Sequence, residues 1–146
     1  MLILRCSSEK PLDALVRSAG ALDCPCLFLS LRALEGKSAM ELVFAFGLAR
    51  RAFDGRNNIS RKLSNEALLF LARETNFASA LRKIGASSPR SFALVCEKSL
   101  PLARVKKALA LTSAKKLALS KMGKKKGAYF EGELAAEGMA LARVRN

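Results

Sequence analysis

The chain has 146 residues, 51% of them apolar and 26% charged, with 26 Lys and Arg against 12 Asp and Glu and no histidine. One domain's length and an apolar half exclude a disordered chain and argue for a single domain over 1–146, while a net charge of +14 points to a polyanionic partner or an anionic surface. Without histidine, a Ser-His-Asp or Cys-His hydrolase and a His-bearing zinc site are ruled out.

Leu2 to Cys6 reads as a first short strand, followed after Pro11 by Leu12, Leu15, Val16 and Ala19 at helical spacing, with Gly20 placed to end that helix. Cys26 to Ser30 is a bare apolar run, the pattern of a strand buried on both faces. Ser38 is a suitable N-cap for an almost wholly apolar helix to about Phe53, interrupted early by Glu41 and closed by Arg50 and Arg51. Asp54-Gly55-Arg56-Asn57-Asn58 is turn chemistry, and a polar basic loop follows before Ser64, the expected cap of the next helix. Asn76 can cap a short helix through Phe77, Ala80, Leu81 and Ile84, stopped by Gly85. Phe92 to Cys96 is the third strand. Pro101 opens a helix with Leu102, Val105 and Leu109 on one face, and a further short helix is expected from Ser113 to Met122. Gly123-Lys-Lys-Lys-Gly127 is a cationic loop, and a last helix, about Glu131 to Arg143, carries acids early and Arg143 late, as the helix dipole prefers. Strands near 2–6, 26–30 and 92–96 packed with about six helices make a compact α+β domain.

Met1-Leu-Ile-Leu4 is cut short by Arg5, too brief for a signal peptide's apolar region. The most apolar stretch, Ala39 to Ala49, is far shorter than the roughly 20 residues a membrane span needs. A soluble protein of the cytoplasm, with no membrane partner, is expected. Of the four cysteines, Cys6, Cys24, Cys26 and Cys96, only Cys24-Pro25-Cys26 forms a close pair, tighter than zinc knuckles use. They read as small buried apolar residues, with no metal or cofactor.

Gly36-Lys37-Ser38 follows a strand and opens a helix, the setting of a phosphate-binding loop, but Leu31 stands where that loop needs its first glycine. A capped helix start is the better reading. Glu41 is expected to sit partly exposed near the helix start, helped by the dipole. No carboxylates are paired at a spacing that suggests acid/base catalysis, so no catalytic residue is assigned and the chain is not read as an enzyme. Basic residues cluster at Arg50, Arg51, Arg56, Arg61 and Lys62, and again from Lys115 to Lys126, as suits phosphate contacts that attract nucleic acid without reading bases. Phe77 and Tyr129 are the aromatic residues left for stacking.

Arg51-Ala-Phe-Asp-Gly-Arg-Asn-Asn-Ile-Ser-Arg-Lys-Leu-Ser-Asn-Glu66, continuing through Ala67-Leu-Leu-Phe-Leu-Ala-Arg-Glu-Thr-Asn-Phe-Ala-Ser-Ala-Leu81 to Ile84-Gly85, resembles the small regulatory subunit of the KEOPS complex. The shared pattern is an Ala-Phe helix end, an Asn-Ile-Ser turn, a Leu-x-x-Glu helix start and an apolar helix. Cys24-Pro-Cys-Leu-Phe-Leu-Ser30 and Glu137-Gly-Met-Ala-Leu141 extend the likeness. The family's Arg-Gln-Ile is replaced by Thr75-Asn76-Phe77, and the glycine before it by Arg73. The resemblance implies a non-catalytic subunit of the machinery that installs threonylcarbamoyl on tRNA adenosine, one that captures the single-stranded 3′ CCA end of tRNA. It also implies direct binding to the complex's kinase-ATPase subunit and, through it, to the other KEOPS subunits. Carried over residue by residue, Asn58, Ser60, Arg61, Arg73, Thr75, Asn76 and Phe77 face the tRNA end, with Lys62 added for its charge; Glu137, Met139 and Leu141 of the terminal helix face the kinase. Two alternatives are a kinase regulator without RNA binding, suggested by Thr75, and a nucleotide-binding enzyme using Lys37 and Ser38.

Overall fold

The computed structural model describes residues 1–118. In chain order they form β1 (Leu2–Ser7), α1 (Leu12–Ser18) running into one 3-10 turn (Ala19–Leu22), β2 (Cys26–Leu29), α2 (Leu31–Glu35), α3 (Ala39–Asp54), α4 (Leu63–Ala72), α5 (Phe77–Ile84), β3 (Phe92–Cys96), α6 (Leu102–Leu109) and β4 (Ser113–Lys116). The architecture is the expected α+β, with six helices and one four-stranded antiparallel sheet. Two compact units emerge: a sheet unit, Met1–Glu35 with Gly85–Ala118, and a helical unit whose described residues are Gly36–Ile84. The expected cationic loop from Gly123 and the last helix, with Glu137, Met139 and Leu141, lie outside the described residues. Among the described residues, no helix is long and apolar enough to cross a membrane.

The sheet runs in the order β2-β3-β1-β4. Because side chains alternate along a strand, the register sets Cys26, Cys96 and Leu2 in one row and Phe28, Leu94 and Leu4 in the next, all on the same face. Leu15, Ala19, Leu22, Val105 and Leu109, from α1, its 3-10 turn and α6, join this row in one apolar core. The rings of Phe28 and Phe92 stack there with centroids 5.6 Å apart. Every residue of β3 is buried, as the bare apolar run of a central strand requires. In this core, burial and the neighbouring Cys96 push the Cys6 thiol up to about 12.

The helix expected from Ser113 to Met122 is a correction: Ser113–Lys116 is a strand paired with β1. Ala110, in the left-handed conformation, ends α6 and turns the chain back. The amide and the hydroxyl of Thr112 both donate to the Ser7 carbonyl, at 2.8 and 2.9 Å, and Leu117 donates to Ile3 at 2.9 Å. A free edge of β1 offers a full row of backbone partners, and Ser-Ala-Lys-Lys has no apolar stripe with which a helix could compete. The exposed Lys115 and Lys116 suit an edge strand.

In the helical unit, the Ser38 hydroxyl accepts from the Glu41 amide at 3.2 Å and caps α3 as expected. Leu42, Ala45, Phe46, Ala49 and Ala52 of α3 are buried, and α3 packs along α4, whose residues Glu66 to Ala72 are all buried. Ser64 does not cap α4: the helix begins at Leu63 with Lys62 at the cap position and no side-chain cap bond. A buried carboxylate in its first turn organises that end instead. Asn76 caps α5, its Oδ1 accepting from the Ser79 amide at 3.0 Å.

Candidate nucleic-acid interface

The α3–α4 loop is shaped from inside by Glu66, which has no exposed surface. The Ile59 amide donates to both of its carboxylate oxygens at 3.0 Å, and the Ser60 amide to Oε2 at 2.8 Å. Asn58 Nδ2 donates to the Ser60 carbonyl at 2.9 Å. The polar groups of Asn58 and Ser60 that these bonds use hold the loop itself. What the loop turns outward is charge and one apolar side chain: Arg56, Arg61, Lys62 and Ile59 are exposed.

The α4–α5 turn is a second cationic site. Arg73 ends α4 with φ 58°, a left-handed conformation that L side chains adopt at a cost. Thr75, Asn76 and Phe77 follow it on the surface, Phe77 with 37% of its area exposed. Lys37 lies close enough to feel both Arg73 and Lys83. Burial chiefly holds its ammonium below the ordinary lysine range, repulsion from Arg73 and Lys83 adds to this, and attraction to Glu41 opposes it. Glu41 sits half-buried in the first turn of α3, as its position near the dipole suggested; its Oε2 has no hydrogen-bond partner among the described residues. Lys83 also pairs with Glu74 at 3.7 Å. Lys83 carries no sequence signal of this role and Lys37 is legible only as part of a loop-like helix start, because the packing of α4 against α3 and against α5, not sequence spacing, brings them to Arg73.

The carried-over residues therefore fall into two groups. Asn58, Ser60, Arg61 and Lys62 stand at the start of α4, and Arg73, Thr75, Asn76 and Phe77 at its end, ten residues later, which at 1.5 Å per residue is about 15 Å. One mononucleotide cannot touch both; an extended strand can. Glu137, Met139 and Leu141 lie outside the described residues.

The sheet unit carries its own basic hollow, of about 430 Å³, lined by Arg5, Ser7, Arg90, Ser91, Ser113 and Lys115. Arg5 and Lys115 are direct cross-strand partners. Like charges so placed repel unless an anion lies between them, and no carboxylate lines this hollow. In the same unit, Cys24, Cys26 and Cys96 are the one group among the described residues with metal-ligating atoms gathered together. No protein-family model matches the chain, and no curated protein is significantly similar to it.

Proposed function

We propose that this protein is a non-catalytic tRNA-binding subunit of a KEOPS-type complex for threonylcarbamoyladenosine formation, capturing the 3′ CCA end and binding the kinase-ATPase subunit. The observation that carries this reading is the α4–α5 turn. There Arg73 keeps a charged side chain at a left-handed position where the resembled family has glycine, Lys37 and Lys83 add charge, and Phe77 offers an exposed ring. Strained backbone clusters at functional sites. Unstacked bases lodge on aromatic rings beside cations. The loop at the other end of α4, with Arg61 and Lys62, supplies contacts for the strand leading to the tail. The kinase contact rests on the likeness of Glu137, Met139 and Leu141 to the family's terminal helix.

The test compares a whole tRNA with the same tRNA lacking its last three nucleotides, at physiological salt. Tail capture predicts at least a tenfold loss on truncation. Phe77→Ala should abolish most of that difference, since base–aromatic stacking is worth about 1–3 kcal/mol per base. Arg73→Gly relieves the left-handed backbone yet should weaken binding of the intact tRNA, so that a loss of affinity is not a loss of fold. Equal affinity for the two tRNAs would sink tail capture.

A second reading, a kinase regulator that binds no RNA, is favoured by the exposed pair Phe77 and Leu81, four residues apart on one face of α5, and by Thr75 in place of the family's arginine. Retained binding to the kinase subunit with no affinity for either tRNA would select it.

A further inference from the structure

Three thiols meet on the sheet unit. Cys26 and Cys96 are direct partners on β2 and β3. The Glu97 amide donates to the Pro25 carbonyl at 3.1 Å, which marks Cys26 and Cys96 as a non-hydrogen-bonded pair, the kind whose side chains come closest. Cys24, in the bend that leads into β2, brings its Sγ beside that of Cys26. The result is Sγ–Sγ separations of 3.5 Å for Cys26 and Cys96 and 3.9 Å for Cys24 and Cys26, with all three sulfurs within 4.8 Å of one another.

We propose that Cys24, Cys26 and Cys96 together bind one soft monovalent metal ion, Cu(I), as a three-thiolate site. A point equidistant from sulfurs so separated lies at most about 2.4 Å from each, close to the roughly 2.3 Å of metal–thiolate bonds. The ion therefore fits without strand movement. Thiolates select soft ions. Zinc sites of structural type take four ligands; the chain has no histidine, and its only other cysteine, Cys6, is outside the group. Three buried or half-buried sulfurs with no fourth donor gathered beside them among the described residues suit a three-coordinate Cu(I). The ion displaces the thiol protons, which pass to solvent, and no electron is transferred. Cys26 and Cys96 are buried in the core, while Cys24 is half-buried and gives the ion its entry.

The experiment titrates the reduced full chain anaerobically with Cu(I) against the chelator bathocuproine disulfonate, and reads the metal's environment by X-ray absorption. One Cu(I) per chain with a shell of three sulfurs is the expected result. Cys24→Ser, at a half-exposed position outside the strands, should keep the circular dichroism of the wild type and lose at least tenfold in affinity, whereas Cys6→Ala should bind as the wild type does. Complete loss of Cu(I) to the chelator, unchanged affinity in a folded Cys24→Ser protein, or equal retention of Zn(II) would each overturn the proposal. So would finding Cys26 and Cys96 joined as a disulfide in air with no Cu(I) uptake after reduction.

Discussion

Glu66 carries a carboxylate with no exposed surface that answers the amides of Ile59 and Ser60. Hydrogen bonds to an ionised acceptor are stronger than neutral ones, and a buried donor left without its acceptor is costly. Glu66→Ala should therefore lower the stability read by urea denaturation by about 2–4 kcal/mol, and Glu66→Gln by less, because its amide oxygen still accepts one bond. A change below about 0.5 kcal/mol would mean that the loop holds without it. The residue was legible as the acid of a Leu-x-x-Glu helix start, but its partners were not, since they depend on the loop folding back over the helix. The cysteines teach the same lesson more sharply. Cys24 and Cys26 are adjacent in any reading, whereas Cys96 stands 70 residues from Cys26 and joins them only through strand register.

At the scale of elements, the three apolar strands and the helices from Pro11 to Leu109 other than α2 could be read from the sequence because they carry their own period or cap. α2 (Leu31–Glu35) could not, its five residues being too few to show a period although the Ser30 hydroxyl accepts from the Ala33 amide at 3.1 Å. Ser38 and Asn76 cap the helices they were expected to cap. β4 could not be read this way, because an edge strand of Ser-Ala-Lys-Lys owes its conformation to the partner strand rather than to any pattern of its own. The turn that delivers it depends on Ala110 at φ 51°. Left-handed backbone costs a residue with a Cβ about 1–2 kcal/mol, partly offset by the greater freedom glycine has when unfolded. Ala110→Gly should thus raise stability by about 0.5–1 kcal/mol, measured as a shift of the urea midpoint with an unchanged slope. Lower stability would mean that the alanine methyl makes a packing contact outweighing the strain.

For the whole molecule, a net charge of +14 makes affinity for any polyanion strongly salt-dependent, and each phosphate contact contributes about 0.7–0.9 to the slope of log K against log salt. Under the proposed function, the basic hollow around Arg5 and Lys115 supplies one such phosphate contact. The double variant Arg5→Ala, Lys115→Ala should reduce that slope by about 1–2 while leaving the ratio between intact and truncated tRNA unchanged. A slope equal to that of the wild type would remove the hollow from the interface. The order of assembly follows from the division of the chain. Within the helical unit, α3, α4 and α5 follow one another in sequence and pack as neighbours, whereas β1 finds its partners only in β3 and β4, roughly a hundred residues later. Local contacts close quickly and distant ones slowly. During synthesis α3, α4 and α5 therefore emerge and can pair while β1 still waits for its neighbours, and closure of the sheet is the slow step expected in refolding.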